Sequence, residues 1–258
     1  MTERDMRLAT PGDIPAALGL LTRLPITVDF ARAQARGAQA AWAWPLAGAL
    51  VGLIAGMVGL ATWSLGVPPG FAAGLALVTQ AMLTGAMHED GLADTADGLW
   101  GGYTRERRLE IMKDSAIGAY GTIALVLSLL LRFAALSALF ATGQAVLALI
   151  AAGALSRAAM GVLMSSLPNA RGEGLSDSVG RPPRTTAALG LGLALTLSVL
   201  LSGPAAWLAS TLAASLAAFA LASIAKAKIG GQTGDILGAT QQVTEIAALA
   251  AFATLATG

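Results

Sequence analysis

The chain has 258 residues, 55% of them hydrophobic and only 12% charged, with a net charge of +1 and a mean hydropathy of +0.69. Soluble domains carry about 25% charged residues, so this composition indicates an all-α, polytopic integral membrane protein. There is no cysteine, which excludes disulfides, thiolate metal sites and a cysteine nucleophile.

Residues 1–36 are charged and broken by Pro11, Pro15 and Pro25. They lack the apolar core of a cleavable signal peptide. The reading is a cytoplasmic N-terminal arm with a short surface helix over Ile14–Leu24, followed by a single transmembrane helical domain over 37–258. Seven apolar stretches follow: Trp42–Leu65, Gly70–Met87, Ile117–Leu139, Ala145–Leu167, Ala187–Leu201, Ala205–Ala225 and Ile236–Thr257. About 20 residues are needed to cross a bilayer as a helix, so the second and fifth are short. Every charged residue except Arg132, Arg157 and Glu245 falls in one of four segments, 1–36, 88–114, 171–184 and 226–235. With seven spans and the N-terminus inside, all four segments lie on the cytoplasmic side. The opposite connections at 66–69, 141–144 and 202–204 carry no charge, which is the positive-inside pattern. Arg157 and Glu245 lie at similar depth and are expected to pair and fix helix register. Arg132 lies nearer the outer face and is expected to snorkel outward.

The segment His88–Gly98 closes the second apolar stretch. Asp90, Asp94 and Asp97 recur at helical spacing and so share one face. No Lys or Arg lies between Arg36 and Arg105 to neutralise them. Like charges on one face repel, and a divalent cation offsets that repulsion. Mg²⁺ suits such a site, because it takes oxygen ligands and is held by a few carboxylates plus substrate phosphates. A solvated acidic loop is the competing reading. Against it, the carboxylates interleave with Leu92, Ala93 and Ala96 at helical spacing. Glu89 is a weaker candidate ligand. His88, the single histidine of the chain, is a candidate general base, ligand or hydrogen-bonding neighbour.

Four cations then follow closely, Arg105, Arg107, Arg108 and Lys113. Arginine grips phosphate by bidentate hydrogen bonds and lysine as a point charge. Some of them anchor the chain at the membrane surface, and Lys113 with Asp114 stands out as the functional pair. The connection from Pro168 to Thr186 is long and carries Arg171, Arg181 and Arg184, which suit an anionic substrate. Last, Gly230-Gly231-Gln232-Thr233-Gly234-Asp235 precedes the final span. Backbone amides at a helix start bind anions, and glycines let a phosphate come close. It lacks the Lys-Ser/Thr ending of a P-loop. Asp235 either caps that helix or adds a carboxylate to the metal site. No basic–aromatic surface for nucleic acid is present, and homo-oligomerisation stays open.

Carboxylates for a divalent metal, cations for phosphate and an apolar body point to phosphoryl or pyrophosphate chemistry at a membrane. The residues alone do not name a substrate. The string Thr84-Gly85-Ala86-Met87-His88-Glu89-Asp90-Gly91-Leu92-Ala93-Asp94-Thr95-Ala96-Asp97-Gly98 resembles the signature of the cobalamin synthase (adenosylcobinamide-GDP ribazoletransferase) family. The stretches Arg108–Gly121, Leu155-Ser156-Arg157-Ala158, Gly180-Arg181-Pro182-Pro183, Gly231-Gln232-Thr233-Gly234-Asp235 and Leu21-Thr22-Arg23-Leu24-Pro25 are similar to that family too. The resemblance runs from about Leu20 to the last span. It implies a multi-pass, Mg²⁺-dependent enzyme of the bacterial inner membrane. Its substrates are a corrinoid nucleotide and α-ribazole, or the 5′-phosphate of α-ribazole. Its products are adenosylcobalamin, or its phosphate, and GMP. On these residues it implies Asp90, Asp94 and Asp97 on the metal; the reading of the residues themselves adds Asp235 and, ranked below the aspartates, Glu89 as further carboxylates. Arg108, Lys113, Arg171, Arg181, Gly231, Thr233 and Gly234 then meet phosphate, and His88, Asp94, Lys113 and Asp114 are the catalytic candidates. A CDP-alcohol phosphotransferase fits less well, since Leu92-Ala93-Asp94 stands where Ala-Arg is expected. A UbiA-type prenyltransferase needs a second Asp-rich loop, and a transporter needs a two-sided polar path.

Overall fold

In the computed structural model, which describes residues 7–257, every regular element is a helix. Residues 1–6 of the expected arm lie outside the described residues. The remainder of the arm forms α1 (Asp13–Leu21) and α2 (Phe30–Arg36), and a 3-10 stretch over Gly37–Ala43 leads into the bundle. The arm is bolted to the domain. The buried Asp13 carboxylate accepts hydrogen bonds from Arg36 Nε (2.8 Å), Arg36 Nη2 (2.7 Å) and Trp42 Nε1 (2.7 Å).

Helix α3 (Trp44–Ser64) crosses α8 (Ala145–Ser166) at very short range. Gly48, Gly52 and Gly56 repeat every fourth residue and so share one face of α3. A methyl group added at Gly52 would stand 2.2 Å from the Leu149 carbonyl oxygen, and one at Gly48 would stand 2.0 Å from that of Gly153. Lipid is as apolar as leucine, so membrane helices associate by such close packing of small residues.

Helix α4 (Pro69–Thr84) ends where Gly85 and Ala86 both take left-handed backbone angles, φ 64° and 55°. That conformation is uncommon for alanine and stores strain. The two residues turn the chain by 89°, and α5 (Met87–Gly101) sets off crosswise. Helix α6 (Arg105–Ile111) and α7 (Ala119–Ala141) follow, then α8 and the short α9 (Leu175–Val179).

Helix α10 (Arg184–Ile229) has 46 residues. Straight, it would be about 69 Å long, more than twice the ~30 Å hydrocarbon core. Its two ends nevertheless meet the same end of α8. Arg181, just before α10, donates to the Ser165 carbonyl (2.8 Å), and the amide of Gln232, just after it, donates to the Pro168 carbonyl (2.9 Å). The helix therefore folds back on itself at Gly203 (φ 74°, ψ 168°), a backbone state open to glycine, with Pro204 starting the return arm. Helix α11 (Gly234–Thr257) ends the chain.

Five helical segments are long and apolar enough to cross a membrane, six if the bent pair α4 and α5 counts as one span. The expected seven crossings require the two arms of α10 on either side of Gly203 to cross separately. A buried polar network ties α4, α5, α7, α8 and α11 together within the apolar layer. Glu245 accepts from Arg157 Nη1 (2.6 Å), Gln241 Nε2 (2.5 Å) and Gln80 Nε2 (2.9 Å). The expected Arg157–Glu245 pair is thus present. Arg132 corrects its expectation: it is only 2% exposed and turns inward to Glu89 Oε1 (3.2 Å), with Glu245 at 3.9 Å. A partner carboxylate at the same depth removes the reason to snorkel.

Candidate active site

Helix α5 lies against α11 because glycines face each other. A methyl group on Gly91 would stand 2.9 Å from the Asp235 carbonyl oxygen and 3.2 Å from Gly238 Cα. This contact brings Asp235, in the first turn of α11, up to the acidic face of α5. Asp94 then lies within electrostatic reach of Asp235, Asp90, Arg171 and Asp97, three carboxylates against one guanidinium. Arg171 pairs with Asp235 at 2.8 Å. Asp90 is exposed and Asp94 half-buried.

Asp97 shares their face of α5 but has another task. Its two oxygens accept from the amides of Gly118 (2.7 Å) and Gly121 (2.9 Å), so it caps the start of α7 from a different helix. Glu89 is drawn into the apolar layer by Arg132 and by Gln242 Nε2 (3.1 Å), away from the aspartates. Backbone amides thus occupy both oxygens of Asp97, and Arg132 and Gln242 occupy Oε1 of Glu89, whose Oε2 is buried without a partner. His88 is 1% exposed and lines a small cavity with Trp44, Met160 and Met164. Residues two apart on a helix do not face each other, so His88 points away from Asp90.

The expected phosphate ligands separate in the same way. Arg108 donates to the carbonyls of Gly102 (2.9 Å) and Lys228 (3.0 Å), and so holds the end of α10 to the loop after α5. Lys113 is exposed and paired with Glu173. Asp114 is exposed and accepts from its neighbour, the Ala116 amide (3.1 Å). Arg181 is anchored on Ser165. Gly231 fits tightly against the Pro168 carbonyl, where Asn169 and Gln232 form a short parallel bridge. Thr233 Oγ1 accepts from the Ile236 amide (3.3 Å) and donates to Asp235 Oδ2 (3.2 Å), capping α11. Open space surrounds Gly234.

No three His, Cys, Asp or Glu side chains among the described residues form a ready-made ligand cage. The donor set still suits magnesium. Asp90, Asp94 and Asp235 offer hard oxygen donors, and Mg²⁺ keeps waters and shares a few carboxylates with substrate phosphates.

This acidic face, with an arginine and a capped helix start beside it, belongs to a chain that matches the family model Cobalamin-5-phosphate synthase over residues 13–253. The chain belongs to the cobalamin-5-phosphate synthase family. The adenosylcobinamide-GDP ribazoletransferase of Bradyrhizobium diazoefficiens is 48% identical over 237 residues, which cover 92% of this chain and 91% of that protein. The proteins of the same name from Azorhizobium caulinodans (47% identical; 92% and 93% covered) and Mesorhizobium japonicum (46%; 92% and 91%) are similar at nearly full length. No solved structure matches the chain.

For this member of the family, the sequence reading missed two features of the site. One is the interhelical cap made by Asp97, which the glycines at 118 and 121 signal. The other is the ion pair of Arg171 with Asp235, whose partners lie on different connections.

Proposed function

We propose that this chain joins adenosylcobinamide-GDP to α-ribazole or its 5′-phosphate, giving adenosylcobalamin or its phosphate and GMP. The reading takes adenosylcobinamide-GDP and ribazole from the name that the similar proteins carry. The observation that carries it is the convergence of Asp235 on Asp90 and Asp94, with Arg171 alongside. In this reading the diphosphate lies over the start of α11, where backbone amides and the helix dipole favour negative charge and Gly234 leaves room. Arg171 contributes a guanidinium that balances phosphate charge.

The ribose 3′-hydroxyl, which is free in both α-ribazole and its 5′-phosphate, attacks the phosphorus next to cobinamide. The new bond joins the 3′-oxygen to that phosphorus, and the bond to the bridging oxygen breaks. GMP leaves with that oxygen. Asp94 takes the hydroxyl proton: it is half-buried among carboxylates and accepts no hydrogen bond from the described residues. Asp90 and Asp235 would hold a magnesium ion, which when bound offsets the charge of the diphosphate and of the leaving phosphate. Asp97 acts by positioning, since it fixes the start of α7 against α5. The polar end of the bundle then faces the cytoplasm of a bacterium, with the helices in its inner membrane.

The test is product formation by purified protein from adenosylcobinamide-GDP and α-ribazole, with Mg²⁺ and with a chelator. Asp94→Asn should insert normally and lose about 10²–10⁴-fold in rate, the usual worth of a positioned base. An undiminished rate removes Asp94 from the chemistry, and a rate indifferent to chelator removes the metal.

A further inference from the structure

A cavity of about 640 Å³ opens between α8 and the two arms of α10, with no lining residue from α5 or α11. It runs along the return arm from Thr211 to Lys226. At 1.5 Å per residue that is about 22 Å. Half of a bilayer with its headgroup layer is also about 20–22 Å. The cleft therefore has the depth of one leaflet.

Its side is open to the surroundings of the bundle. Phe219, 73% exposed, and Leu191, 36% exposed, both line it. In a membrane these residues meet hydrocarbon, so the opening admits an apolar chain from the bilayer. Along the walls Leu163, Leu195, Ala214 and Ala218 offer hydrocarbon, interrupted by the hydroxyl side chains of Thr211 and Ser215. A helix of a second copy, about 10–12 Å across, is too wide for a cleft of this volume and length.

The polar rim decides what kind of lipid enters. Lys226, Ser223 and Ser166 stand together at the end of the cleft that meets the charged loops, and no Asp or Glu lines it. Arg181 is anchored on the carbonyl of Ser165, the residue before Ser166, and so adds a second cation at the same end. The two hydroxyls donate to the carbonyls of Val162 and Phe219, so the headgroup is selected by charge, and two cations at headgroup depth match an anionic phosphodiester.

We propose that this cleft is a binding site for an anionic glycerophospholipid. One acyl chain lies between α8 and the arms of α10, and the phosphate rests on Lys226. The lipid completes the packing of the hairpin on α8 and leaves the aspartate site untouched.

The experiment is native mass spectrometry of delipidated protein in detergent, titrated with phosphatidylglycerol or phosphatidylcholine. Thermal unfolding is followed in parallel. Wild type should retain phosphatidylglycerol in preference to phosphatidylcholine and be stabilised by it. Lys226→Gln should reduce that preference by about fivefold, the weight of one cation near a surface. Ala218→Trp, which fills the cleft, should lose the bound lipid of either headgroup. Equal retention of the two lipids by wild type overturns the proposal without any variant. Wild-type lipid retention by Ala218→Trp overturns the location. Both readouts are independent of transferase turnover, so their failure is distinct from failure of the proposed reaction.

Discussion

Asp97 accepts two backbone amides at the start of α7, whereas Asp94, less than one turn away, accepts none. Spacing alone places both on one face, and only the position of α7 separates the cap from the candidate base. The same limit applies to Asp13, which in sequence is one acid in a charged arm. In the fold it is fully buried and grips Arg36, itself 3% exposed. Burial alone pushes the Asp13 carboxyl up, but the hydrogen bonds from Arg36, Trp42 and Thr10 outweigh it and hold the group below its ordinary 3.8. A carboxyl depressed by folding contributes stability that is full above its unfolded pKa and lost as pH falls through the folded one. Asp13→Asn should therefore cost about 1.5–3 kcal/mol at neutral pH, because it removes the charge from a carboxylate that takes two buried hydrogen bonds from Arg36. The gap between wild type and variant, read from thermal unfolding in detergent, should hold from pH 7 to about 4 and shrink below that. A gap that stays constant down to pH 3 would refute the coupling.

At the scale of elements, the apolar stretches were legible because a bilayer demands length and apolarity and little else. The hairpin in α10 was legible as well, since Gly203-Pro204 both interrupts the hydrophobic run and suits a reversal. The course of α5 was not. It depends on two successive left-handed residues, one of them Ala86, and nothing in alanine announces that state. The pairing of α3 with α8 rests on absent side chains, and here a substitution gives a sharp test. Gly52→Leu sets a Cβ 2.2 Å from the Leu149 carbonyl oxygen, where only backbone can yield. Overpacking of this kind costs about 1–3 kcal/mol, visible as a lower unfolding temperature in detergent. Gly192→Ala, at a helical position with open space around it, should be neutral or stabilising by up to about 1 kcal/mol. If Gly52→Leu unfolds with wild type, the two helices do not owe their approach to the glycines.

The whole molecule places its charged loops at one end and its uncharged turns at the other. The contacts agree with the charge pattern, since Arg105 bonds the carbonyls of Ile229 (2.9 Å) and Ala170 (2.7 Å), and Lys113 reaches Glu173. Segments far apart in sequence thus meet at a single face, which is what a catalytic site fed from one compartment requires. The same geometry explains why charge counting groups the charged segments without saying which side chains meet. The membrane sorts charges by side, while the fold decides which of them touch. A protein without cysteine allows the orientation to be read directly. Single cysteines at Gly101 and Leu175 should react with an impermeant thiol reagent only from the cytoplasmic side. Cysteines at Gln144 and Ala205, in or beside the two uncharged turns, should react only from the other. Ala205 is the decisive position. If α10 folds back at Gly203, its label is reached from outside; reaction from the cytoplasm would mean that the hairpin does not cross, and the count of seven spans would fall with it.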